Sequence, residues 1–301
     1  MRRLRDIWLV AGADLRESLR SWRALLLLLV FAAGSVGAAL LFIEVLSQAE
    51  AVAARALRVP ATDRPGALTS TLRESQELLQ VLNDLIGDEA VVREVLEIPP
   101  IALFYGWVAL TFVPALATFV AGGSVAGERA SGAARFALAR TDRTSWAIGK
   151  LAGAALLLFV GLQLAAVAVW VVGALQTTGM PLAETALWLT RMAGRGWIYG
   201  LPWLGLAVGI SQMTRSTYLA WGLCIGGLIL GGALRGALNL PRVEAWDPAL
   251  IGAVRVLLPG SHELDLWRSD WADRAPAAAI LLAQGIVAFT LGHLRFLRAD
   301  A

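Results

Sequence analysis

The chain has 301 residues, 57% of them hydrophobic and only 16% charged, where a soluble domain carries about a quarter charged. Its net charge of +3 comes with no basic stripe, so there is no nucleic-acid footprint. Two histidines and one cysteine exclude a histidine metal cluster and an internal disulfide.

Residues 1–23 hold six arginines and three acids. Leu4, Ile7, Trp8, Ala11, Leu15, Leu19 and Trp22 recur three and four apart, while Arg5, Arg16, Glu17 and Arg20 avoid that stripe. The pattern predicts an amphipathic helix lying in the membrane interface, with Trp at headgroup depth. Residues 24–43 follow without a charge. They are long enough to cross a bilayer, which needs about 20 apolar residues, and too long for the core of a signal peptide.

The block 44–100 changes character, with ten acids against five arginines in residues 44–97. Leu68, Leu72, Leu79, Leu82 and Ile86 mark one helix face. Gly87 and Asp88 interrupt it, and Val91, Val92, Val95 and Leu96 mark a second face that Pro99 and Pro100 end. A small helical hairpin outside the membrane is expected, binding a partner or shielding an entrance.

A second span is expected over 101–125, with Pro114 favouring a kink. Then comes SVAGERASGAARFALARTDRTSWAIGK, residues 124–150, in which residues 126–150 hold five basic groups and two acids. Within 126–145, a short helix bounded by Gly132 and the Thr141–Asp142 turn would lie along the membrane surface, with Arg135, Phe136 and Leu138 toward a partner. An ordinary positively charged loop would carry the same composition.

Further spans are expected over 146–175, 196–214, 216–234 and 275–295. Pro202, Arg191 and Arg195 blur the start of the one at 196. Gly222–Gly226 and Gly227–Gly231 are each four apart, a spacing that lets another helix, or a second copy, approach closely. Pro241, Pro248 and Pro259 divide residues 235–274 into short pieces that re-enter the membrane or lie on its outer surface. The expected fold is an all-α integral membrane protein with six transmembrane helices. Lys and Arg in short segments next to spans mark the inner side. By that rule residues 1–23 and 126–150 are inside, both termini are cytoplasmic, and 44–100 and 235–274 face outside.

No nucleophile elbow is present, and Gly149-Lys150 lacks the leading glycine and following Ser or Thr of a phosphate loop. Charged residues inside spans mark ion or proton paths, and the predicted spans contain essentially none. Driving energy must therefore enter from elsewhere.

The order Glu128-Arg129, Gly132, apolar helix, Arg140-Thr141-Asp142-Arg143, Gly149-Lys150, apolar helix resembles the cytoplasmic loop of ABC-2-type transporter permeases. ADLRESLRSWRALLLLL is similar to that family's N-terminal connecting helix entering the first span. With the six spans, the resemblance covers nearly the whole chain, and the large outer block is more similar to the copper-enzyme maturation and gliding-motility branch. It implies the transmembrane subunit of an ATP-driven transporter in a bacterial inner membrane. It also implies cytoplasmic ABC ATPase subunits that carry ATP and Mg, and a second permease copy or paralogue; this chain itself would contact membrane lipid and bind no cofactor and no nucleic acid. Glu128, Arg129 and Gly132 would open a coupling helix, Arg143, Gly149 and Lys150 would close it, and Arg16, Glu17 and Arg20 would lie on the connecting helix. Ala133 stands where the family often has Thr, and the turn RTDRTSW has no Pro. The cargo would be apolar or amphiphilic, or absent, with the outer block passing a mechanical signal to an extracytoplasmic partner. A membrane scaffold and a membrane-embedded lipid-modifying enzyme are the other readings.

Overall fold

The computed structural model describes residues 2–57, 65–66, 80, 84, 92, 94, 97–238, 240, 248–268 and 270–298. Among them the secondary structure is helical throughout, without a strand. An N-terminal helix, α1 (Arg2–Arg20), precedes α2 (Trp22–Leu57) and α3 (Pro100–Ala121). Two short helices, α4 (Ser124–Ser131) and α5 (Ala133–Leu138), lead into α6 (Arg143–Gln176), α7 (Leu182–Met213) and α8 (Thr217–Leu238). A short α9 (Pro248–Leu257) and two 3-10 turns (Pro259–His262 and Leu264–Trp267) come before α10 (Trp271–Arg298). The helical pattern expected over 68–96 falls outside the described residues, apart from isolated positions.

Helix boundaries follow local chemistry. Pro100 occupies the first turn of α3, where its missing N–H is no loss. Asp142 caps α6: its Oδ1 accepts from the backbone N–H of Thr144 at 3.1 Å and of Ser145 at 2.9 Å. Gly132 closes α4 at φ +78°, a left-handed conformation that suits glycine.

Among the described residues five helices are long and apolar enough to cross a membrane: α2, α3 continued by α4, α6, α8 and α10. α7 is long enough, at 32 residues or about 48 Å, but its first half carries Glu184, Arg191 and Arg195. The stretch 182–195, which sequence alone leaves between spans, is therefore helical. Arg195 is buried there because its guanidinium donates to the carbonyls of Trp267 and Arg268, each at 3.4 Å, and lies over the Trp188 ring. α2 likewise runs on past Ile43 to Leu57.

α7 is the centre of the bundle and packs on α3, α6 and α10. Against α10 the backbones themselves touch. A Cβ on Gly205 would stand 2.1 Å from the Gly285 carbonyl oxygen, and one on Gly292 would stand 2.2 Å from that of Gly209. Only glycine permits this crossing. α8 sits at the edge and buries only Ala220 and Cys224. On it Gly222 and Gly226 have no neighbour within 4 Å of a Cβ among the described residues, while a Cβ on Gly227 or Gly231 would lie at ordinary contact distance from Leu206 and Trp203 of α7.

Candidate functional site: an ion-paired hub at one end of the bundle

α1, α4, the start of α6 and the ends of α7 and α10 meet at one end of the bundle. The notch for α1 is cut by two glycines four apart on α6. A Cβ on Gly149 would lie 2.6 Å from Val10 Cβ, and one on Gly153 would lie 2.6 Å from Asp14 Oδ2. α1 therefore seats Val10, the fully buried Ala11 and Asp14 on α6, while its Leu4 and Trp8 are exposed, as is Trp22 at the start of α2. Arg16, Glu17 and Arg20 are all exposed on the outer side of α1.

Next to this notch stands Lys150, the only lysine in the chain. It is 5% exposed, and its Nζ donates both to Asp14 Oδ1 of α1 and to Glu128 Oε1 of α4. A buried cation needs paired and hydrogen-bonded partners to offset its desolvation, and here two helices supply one carboxylate each.

Arg129, the neighbour of Glu128, points to the other side of α4. Its guanidinium donates to the Gln212 carbonyl at 2.7 Å and to that of Thr214 at 3.4 Å, at the end of α7, where helix carbonyls lack intrahelical partners. It also lies 5.4 Å from the centre of the buried Phe296 ring of α10. Arg143 covers the same ring at 5.7 Å and donates to the carbonyls of Phe296 and Leu297 at 3.2 and 3.0 Å. Phe296 is thus gripped by two guanidinium groups from the two ends of the 129–143 loop. The start of α4 is fastened as well, because Ser211 Oγ accepts from the backbone N–H groups of Val125 and Ala126 at 3.1 and 2.9 Å.

Beyond Gly132 the chain turns into α5. Ala134 is buried and holds the helix down. Arg135 and Phe136 are exposed, Phe136 to 80%. A bare aromatic side chain beside a guanidinium is the composition of an interface anchor. At the far side of the loop the Asp142 carboxyl is held below the usual carboxylate range by the Ser145 hydroxyl and then by backbone N–H groups.

Glu128, Arg129, Arg143 and Lys150 come together, with Gly132 and Gly149 shaping the backbone around them. Arg135 and Phe136 stand apart on the surface, and the glycines of α8 have no place in the hub. Sequence reasoning missed Asp14, Ser211 and Phe296. Asp14 had a signal, since it continues the Ile7–Ala11 spacing and so puts an acid on the apolar face of α1. Ser211 and Phe296 had none, because each acts across more than 80 residues.

Apolar helices of crossing length, joined at one end by a buried polar hub, define a multi-pass α-helical membrane protein. A family model described as ABC-2 family transporter protein matches residues 8–234. The chain belongs to that family, whose members are the transmembrane component of ABC transporters rather than the catalytic one. No curated protein matches it.

Proposed function

We propose that the chain is the permease subunit of an ATP-driven exporter, and that its hub faces the cytoplasm, where α5 docks on a separate ABC ATPase. The apolar second half of α7 makes a sixth crossing, since α7 ends at the hub beside Arg129 as α10 does beside Arg143. Six crossings leave both termini cytoplasmic. Two copies, or this chain with a paralogue, sit on two ATPase subunits, which bind the ATP and Mg. Family members work with an ABC ATPase and often form dimers, which supports this arrangement.

The observation that carries the reading is the division of tasks between Glu128 and Arg129. One reaches Lys150 and α1, and the other reaches the ends of α7 and α10. α4 is therefore fixed to four helices at once, and α5 is joined to α4 by a single glycine. A push on the exposed Arg135–Phe136 surface is delivered to the bundle through buried ion pairs and not through a slack loop. The cargo is apolar or amphiphilic, because the spans offer no line of charges for an ion. The acidic excess of block 44–97 favours a second reading, in which this block passes a mechanical signal to an extracytoplasmic partner. Deleting residues 60–95 separates the two: lost function with intact ATPase coupling selects the partner.

The test of coupling is Glu128→Ala combined with Arg129→Ala in a chain co-expressed with its ATPase. The docking surface on α5 is untouched, so the ATPase still co-purifies. Its hydrolysis no longer drives export. Normal coupling in this variant would remove the role assigned to α4.

A further inference from the structure

A half-open cavity of about 310 Å³ lies between α3, α7 and α8, away from the hub, and is bordered by the 3-10 turn Pro259–His262. Its size is at the lower bound for ligand sites. The walls are apolar, with Leu110, Pro114 and Leu228. Polar side chains break this lining at Thr111 and Tyr199 and at an ion pair. At the mouth the Arg235 guanidinium donates to the Glu263 carboxylate, with side-chain exposures of 41% and 17%. Gly260 makes room for that crossing, since a Cβ there would lie 2.9 Å from Arg235 Cδ. Inside, Trp203 is 8% exposed; its ring edge faces α8 at Gly231, and its indole N–H is buried beside Tyr199.

We infer that this cavity binds a zwitterionic phospholipid-type amphiphile. The mouth carries one positive and one negative group that pair with each other, and a head with one of each bridges that pair: the phosphate takes Arg235 and the ammonium takes Glu263. A purely anionic head would face the Glu263 carboxylate, and a cationic one would face Arg235, so each is selected against. The acyl chain lies along Leu110, Pro114 and Leu228 and against the edge of the Trp203 ring. The mouth belongs to the end of α8 opposite Thr217 and Trp221, which rest on Gly122 and Gly123 where α3 gives way to α4. The wall of the cavity and the hub are thus two ends of one loosely buried helix. The inference names the cargo class of the proposed exporter and rests on that reading for transport alone. Binding needs no ATPase, so either can fail without the other.

The probe is a lysophosphatidylethanolamine with a diazirine in its chain, photolysed with the purified full-length chain in detergent and mapped by mass spectrometry. Adducts are expected in residues 110–114 and 228–235. Unlabelled lysophosphatidylethanolamine should compete about tenfold better than lysophosphatidylglycerol, a difference of about 1.4 kcal/mol. Glu263→Gln should erase that preference while labelling persists. Gly232→Phe should abolish labelling, because Gly232 lines the cavity and a Cβ there meets nothing within 4 Å. Its melting temperature, matched to wild type, shows that the fold is kept. Equal competition by the two lipids, or full labelling in a folded Gly232→Phe chain, would overturn the inference.

Discussion

Lys150 holds two carboxylates from different helices, so removing its charge leaves Asp14 and Glu128 near each other without a counter-ion. Breaking a buried ion pair costs about 3–5 kcal/mol, whereas replacing all of its members with apolar groups is often neutral. Lys150→Ala is therefore expected to unfold earlier in detergent by an amount in that range. The triple replacement Lys150→Met, Asp14→Leu, Glu128→Leu should recover most of the loss. Asp142 offers a pH-dependent counterpart. Its carboxyl is depressed in the folded chain, so its contribution is fully present above the ordinary carboxylate range of about 3.9. That contribution is lost as pH falls through the folded value. Amide exchange at Thr144 and Ser145 should quicken only on strong acidification, and Asp142→Asn, which keeps a cap, should blunt that change.

At the scale of helices, the crossing of α7 and α10 admits no side chain. Gly205→Val would put its Cβ against the Gly285 carbonyl, and overpacking of this kind costs at least about 1–3 kcal/mol. A drop in melting temperature checks this. Gly226→Val faces open space within the chain, so the melting temperature of the monomer should not move. Any effect should appear in cross-linking between copies, since an α8 face without a neighbour is where a second permease would fit. The contrast shows what was legible. Gly205–Gly209 and Gly222–Gly226 carry the same four-residue spacing, but spacing alone does not say which pair meets a helix of its own chain. The charges on 184–195 misled in a similar way. They broke the hydropathy pattern, although Arg195 is accommodated in α7 by carbonyls from residues 267 and 268.

The whole molecule was most legible where physics is local. Uncharged runs of bilayer length located the five helices that are, among the described residues, long and apolar enough to cross a membrane, and the Gly132 and Asp142 breaks framed α5. The hub was only half legible, because its ion pairs join residues 22 and 136 apart in the chain. Orientation follows from the proposed function and can be read directly. In a Cys224→Ser background, Arg135→Cys on α5 should react with a membrane-impermeant maleimide only in inverted vesicles, and Gly252→Cys on α9 only in right-side-out ones. The central claim, that work entering at α5 reaches the bundle through Lys150, is tested most directly by ATP-driven export in the reconstituted complex carrying Lys150→Met. The ATPase should stay bound at wild-type stoichiometry through Arg135 and Phe136, with export reduced at least about tenfold, the size of an ordinary coupling energy. Wild-type export by that complex would contradict the claim.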